Sequence, residues 1–334
     1  MEKKQGDRTY MFANPPALIG AKSVVGPKEA AGPVGQYFDL KIDDPLFGET
    51  TAEKAERRFL IEATNATLEG ANLAKDQVDF FLAGDLLNQI VSASFTAREL
   101  RLPFLGLYGA CSTMAEGGML AGFLIDGGFA QNVLVGVSSH YQTAERQFRY
   151  PIELNIKHKL SAQYTVTGAG AFLYAKGGDG PYLKGATVGK VVDYKIKDPS
   201  DMGAAMAPAA ADTILQHFED TGREPDYYDL IFTGDLGKVG MQLNRALLEQ
   251  CGVRLGSNYQ DGGVMIFGGD GAFGAGGSGC ACSAVITAGY ILRELAAGRL
   301  KRVLLVGTGA LHSPLTWQQG ESIPGIAHGI VLER

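Results

Sequence analysis

The chain has 334 residues, with 30 basic residues against 36 acidic ones, a net charge of −6, and no basic run longer than two. That balance argues against a nucleic-acid partner. Its 46% hydrophobic content suits a globular protein of two domains or one large duplicated one, and four cysteines in so long a chain are no disulfide framework but fit a reducing compartment.

The first twenty residues, MEKKQGDRTYMFANPPALIG, lack the continuous apolar core of a signal peptide. Residues 78 to 87, VDFFLAGDLL, read as a strand. Asp85, Asn88 and Gln89 fall just past the strand's end, where open α/β sheets place ligands. Three roles stand open for Asp85: holding His140 in one tautomer, facing the metal of a chelate, or capping the next helix.

LPFLGLYG, residues 102 to 109, reads as a buried strand, and TMAEGGMLAGFLI, residues 113 to 125, as a buried helix. Cys111 and Ser112 stand at the join. A helix N-terminus there should lower the thiol pKa or hold an anion. A small buried apolar residue is the other reading of Cys111. QNVLVGVSS is the next strand, and SSHYQTAERQFRYP, residues 138 to 151, follows it. That stretch carries His140, Tyr141, Thr143, Arg146 and Arg149. Arginine matches a carboxylate bidentately, although either arginine could serve only an ion pair with Glu145.

The second half repeats the first. VDFFLAGDLL matches YDLIFTGDLG at residues 228 to 237, pairing Asp79 with Asp229 and Asp85 with Asp235. Residues 110 to 136 match residues 281 to 307 without a gap, pairing Cys111 with Cys282. Alternating strands and helices imply βαβ units. The glycine-rich KGGDGPYLKG, residues 176 to 185, marks the junction, giving an N-terminal half over 1–178 and a C-terminal half over 179–334. Cys280 and Cys282 form C-x-C without a second pair, poor zinc spacing. GDGAFG at 269 to 274 satisfies G-x-G-x-x-G, but GAGGSG follows where a dinucleotide fingerprint needs a helix. The uncharged window 271 to 292 reads as a glycine loop feeding a buried helix, not a membrane span. His158, His217, His312 and His328 read as structural.

A duplicated α/β chain with a cysteine opening the buried helix of its first half resembles the thiolase superfamily. The motifs GPKEAAGPVG, AGDLLNQ, YGACST, DMGAAMAPAAADT, AGGSGCACSA and ESIPGIAHG narrow this. With them the chain is similar to the stage V sporulation protein AD family. The superfamily resemblance implies two pseudosymmetric halves layered α-β-α-β-α, and a homodimer. Condensing enzymes of that superfamily set a His and an Asn beside the cysteine. By resemblance to the ketoacyl synthase III pattern, Gly234 stands where the His belongs and Ser278 where the Asn belongs. The expectation is therefore a non-enzyme that keeps an enzyme's pocket. An active acyl-thioester condensing enzyme with Cys111 as nucleophile is the alternative, and a pure scaffold a further one.

The narrower resemblance implies a ligand, dipicolinic acid (pyridine-2,6-dicarboxylate), which spores accumulate as a calcium chelate, and no cofactor. It also implies attachment to the spore inner membrane through other stage V sporulation membrane proteins. The residues expected to contact ligand are Asp85, Asn88, Cys111, Ser112, His140, Thr143, Arg146, Arg149 and Ser278.

Overall fold

A computed structural model describes residues 3–268 and 271–334. Ten principal strands fall into two sets of five. The first comprises β1 (Ala17–Val25), β2 (Phe80–Gly84), β3 (Phe104–Gly106), β4 (Asn132–Ser139) and β5 (Gly168–Ala175), in spatial order β1-β5-β4-β2-β3. The second comprises β6 (Tyr182–Thr187), β7 (Leu230–Thr233), β8 (Tyr259–Asp261), β9 (Arg302–Ala310) and β10 (Gly325–Glu333), in order β6-β10-β9-β7-β8. In both sets the first two pairings are antiparallel and the last two parallel. One residue pair, Tyr182 opposite Ala17, joins them.

The duplication extends to side chains. Asp79 Oδ2 accepts the Gln131 and Asn132 N–H groups at 2.6 and 2.9 Å. Asp229 Oδ2 accepts the Lys301 and Arg302 N–H groups, both at 2.8 Å. Each carboxylate pins the start of one strand to its parallel neighbour.

Seven helices matter to the site: α1 (Ala52–Gly70), α2 (Val91–Leu100), α3 (Thr113–Asp126), α4 (Tyr141–Phe148), α5 (Met202–Thr221), α6 (Gly237–Gln250) and α7 (Cys280–Ile286). The last runs on through a π-helical turn, Thr287–Ile291, to Leu292–Ala296. Helices α3 and α7 form the central layer. Helix α3 lies on β4 and, from its other side, on β9 and β10, while α7 lies on β1, β4 and β5. One apolar core joins both sheets to them, with Leu82, Val135 and Phe172 on one side and Phe232, Leu305 and Ile330 on the other. Outside, α1 and α2 cover the first sheet and α5 the second, with α6 against α5. The layering is α-β-α-β-α.

Central helices buried on nearly all sides need small residues where backbones approach. A Cβ at Gly117 would sit 2.6 Å from Val135, and one at Gly170 2.7 Å from the Ala284 Cβ. The glycine-rich composition serves this packing.

Two readings change and a third holds. The stretch LPFLGLYG is not a buried strand: only Phe104–Gly106 pairs, at the sheet edge, with Leu105 exposed. Cys282 does not precede its helix as Cys111 does but lies inside the first turn of α7. Of the GDGAFG run, residues 269 and 270 lie outside the described residues, Gly271–Phe273 forms a 3-10 turn, and the next helix opens only at Cys280. Among the described residues no helix is long and apolar enough to cross a membrane.

Candidate functional site

The turn from β3 into α3 builds the cysteine corner. Ala110 adopts φ 48°, in the left-handed region that costs a non-glycine residue energy. The Ser112 N–H and Oγ both reach the Gly109 carbonyl, at 3.0 and 2.6 Å. The Thr113 N–H and Oγ1 reach the Ala110 carbonyl at 3.2 and 2.6 Å. The Ser112 and Thr113 donors are thus spent inside the turn.

Cys111 is buried, with Sγ 3.9 Å from Ser278 Oγ. Ser278 Oγ donates to Asp235 Oδ2 at 3.1 Å, Gly279 N–H donates to the same oxygen at 2.9 Å, and Thr308 Oγ1 donates to Oδ1 at 2.7 Å. These three donors hold a carboxylate beside the thiol. Burial first, and then the Asp235 charge, push the Cys111 pKa well above its ordinary range. The expected helix-terminus lowering is overturned: the group is a protonated thiol. Burial likewise raises the Asp235 pKa.

Gly234, equated by resemblance with the catalytic His, packs against Ser283 and Thr308. A Cβ on Gly234 would point toward Ser283, 3.1 Å from its Cβ. The side chain that comes off this strand end toward Cys111 is Asp235. Successive residues of an extended segment face opposite ways, so a one-residue slip exchanges the two. The match of Asp85 with Asp235 suggested a shared structural role, but the two diverge. Asp85 takes Leu87 N–H on Oδ1 and Ala93 N–H on Oδ2, both at 2.8 Å, and so caps α2.

Cys111, Ser278, Leu86, Tyr108, Phe148, Arg149 and His312 line a cavity of about 40 Å³, room for a water or two. Two wider spaces adjoin it. A vestibule of about 460 Å³ shares Phe148 and Arg149 with the cavity and adds Tyr150, Lys157, His158 and Trp317. A groove of about 430 Å³ shares Tyr108 and His312 and adds Asn88. Arg149 is held by Glu145 Oε1 at 2.5 Å and donates through Nε to the Pro199 carbonyl at 3.3 Å. His312 is 5% exposed, and neither ring nitrogen has a partner among the described residues. It was read as structural and instead lines the cavity. Burial, and then the Arg149 charge, hold its pKa down at about 4.

The other expected contacts scatter. His140 caps α4: Nδ1 accepts the Gln142 N–H at 3.2 Å, and Nε2, 2.8 Å from the Pro45 carbonyl, donates to it. Burial lowers its pKa. Thr143 Oγ1 contacts Glu56 Oε2 and the His140 carbonyl at 2.8 and 2.9 Å. Arg146 is exposed and pairs with Glu53. Asn88 is an exposed groove residue whose N–H donates to Gln147 Oε1 at 3.0 Å. Of the nine expected contacts, only Cys111, Arg149 and Ser278 meet in one cavity.

The sequence model of the family described as stage V sporulation protein AD (SpoVAD) matches residues 6–333. The chain belongs to the stage V sporulation protein AD family. Stage V sporulation protein AD of Bacillus subtilis (strain 168) is 48% identical over 332 residues, 99% of this chain and 98% of that relative. Solved structures of low identity share the fold. A 3-oxoacyl-(acyl-carrier-protein) synthase III from Aquifex aeolicus VF5 superposes with TM-score 0.60 at 13% identity, covering 96% of this chain and 100% of its own. Xanthomonas campestris OleA with bound lauric acid and lauroyl-CoA gives TM-score 0.63 at 14% identity, with 95% and 99% covered. The family member described here therefore has a thiolase-like fold.

Proposed function

We propose that this sporulation protein binds dipicolinic acid and performs no acyl-thioester chemistry. The observation that carries the reading is Arg149, which lines both the Cys111 cavity and the vestibule outside it. Two of its five N–H donors meet the Pro199 carbonyl and Glu145, leaving others for a carboxylate. A cavity of about 40 Å³ is too small for a pyridine ring, whereas about 460 Å³ lies within the usual ligand range. The ring therefore lies in the vestibule, between Phe148 and Trp317. One carboxylate turns inward to Arg149, and the other faces Lys157 and His158.

Chemistry at Cys111 is disfavoured because a condensing nucleophile must be a thiolate. Here a carboxylate, not an imidazole, faces the sulfur. Calcium enters as part of the ligand's own chelate. The same reading makes the protein a homodimer on the inner membrane of the developing spore, held by other stage V sporulation membrane proteins. There it takes part in dipicolinate uptake and in its release at germination. Family membership supports that setting.

Calorimetry with dipicolinate, with and without calcium, tests the reading. Pyridine-2-carboxylate lacks one charge-assisted contact and should bind about 10- to 100-fold more weakly. Lys157→Glu and Arg149→Lys should each weaken dipicolinate about tenfold or more. Absence of binding by folded wild type under both conditions would return the chain to a scaffold. Turnover of acetyl- and malonyl-thioesters to a ketoacyl product would instead establish the condensing enzyme.

A further inference from the structure

His312 lines the Cys111 cavity with both of its buried ring nitrogens unpartnered among the described residues. Each of the other buried histidines has at least one ring nitrogen partnered, His328 through the Gly189 N–H on Nδ1 at 3.1 Å. His217 contacts Thr187 Oγ1 through Nδ1 at 2.7 Å and the Tyr228 hydroxyl through Nε2 at 2.5 Å, and His140 has its two backbone partners. A buried polar group without a partner costs about 1–3 kcal/mol, so native structures satisfy nearly all of them. His312 is held in place by packing alone. Its ring tilts against Phe148 at 5.5 Å between centroids and meets Trp317 edge-on at 6.2 Å. Trp317 is itself fixed by its Nε1–H on the Lys197 carbonyl at 2.6 Å. The imidazole therefore sits where the cavity meets the groove beside Tyr108, rigid and unsatisfied.

We infer that His312 is the group through which the Cys111 cavity reads its ligand, donating one ring N–H to a carboxylate oxygen of an aromatic acid. Ser278 and the Cys111 thiol line the same cavity. This rests on the dipicolinate reading and adds a contact that no sequence motif marks. The charged group in the cavity is Arg149, and Cys111 and Tyr108 are its other titratable lining residues. Burial and Arg149 keep the free imidazole neutral. A carboxylate arriving beside it offsets both, so binding should draw a proton onto His312 as pH falls toward 5.

The test pairs affinity with proton counting. Wild type, His312→Phe and His312→Asn are titrated with dipicolinate at pH 5.5 and 7.5 in buffers of different ionisation enthalpy. His312→Phe keeps the stack on Phe148 and Trp317 but has no ring nitrogen. It should bind about 10- to 100-fold more weakly and take up less proton than wild type at pH 5.5. His312→Asn, which keeps a donor, should recover part of the affinity but not the proton uptake. Wild type should take up a measurable fraction of a proton at pH 5.5 and almost none at pH 7.5. Equal affinity and equal proton uptake in all three proteins would overturn the role of His312 while leaving dipicolinate binding intact. No binding by wild type would instead remove the functional reading on which it stands.

Discussion

Replacing Asp235 with Asn should make Cys111 more reactive. Sγ lies 3.9 Å from Ser278 Oγ, which lies 3.1 Å from Asp235 Oδ2, so the charge and the sulfur are no more than about 7 Å apart. At an effective dielectric of about 20, two charges at that distance interact by about 2.4 kcal/mol. All of it opposes the thiolate. Asn keeps an acceptor for Gly279 N–H and removes the charge. The thiol pKa should fall. A more populated thiolate raises the thiol-exchange rate, and its lower basicity returns about half of the gain, leaving an increase of about 5- to 10-fold. The assay is the rate of methanethiosulfonate labelling at Cys111 against pH, with labelled peptide quantified by mass spectrometry. The inflection of that profile separates a pKa change from a change in access. An unchanged or higher inflection in a folded Asp235→Asn protein would refute the reasoning.

Glu29 is buried, with Oε1 accepting the Thr167 N–H at 2.9 Å and Oε2 without a partner among the described residues, and burial raises its pKa to about 7. The folded state then holds a proton that the unfolded state releases above about pH 4.5, so wild-type stability falls as pH rises from there through 7. Glu29→Gln cannot ionise. Its stability relative to wild type should rise across that window by up to about 3 kcal/mol at pH 8, read from urea midpoints at pH 4, 6 and 8. A gap that does not widen with pH contradicts the assignment. Gly234→His should not place an imidazole at Cys111, because the Cβ would press on Ser283 at 3.1 Å. A stability loss of about 1–3 kcal/mol, with an unchanged Cys111 labelling profile, is expected from denaturation and alkylation measurements. A lowered Cys111 pKa in that variant would show that position 234 faces the thiol after all.

The duplication was legible in the chain because covalent spacing records it. Ungapped matches between residues 110–136 and 281–307 carry the same order of helix, turn and strand, and Asp79 and Asp229 repeat one capping role. Alternating apolar strands and helices pointed to a duplicated α/β chain, and the layering followed from its resemblance to the thiolase superfamily. The site was legible only where position along the chain implies position in space. Cys111 at a strand-to-helix turn and Ser278 before the partner helix are such cases, as is Arg149 at the end of the helix that follows a strand. The direction of a side chain is a different kind of information. Whether residue 234 or 235 faces the sulfur depends on the last peptide of a strand. Whether a thiol ionises depends on which carboxylate a distant loop brings against it, here against the helix-terminus effect. His140 and Asp85 look functional beside strand ends, yet backbone N–H groups of their own turns claim them. His312 carries no motif at all. Only the packing of Phe148 and Trp317 around it, with no polar atom in reach, leaves its ring free beside Cys111. An unmet hydrogen bond is a property of the assembled interior, and no local stretch of sequence contains it.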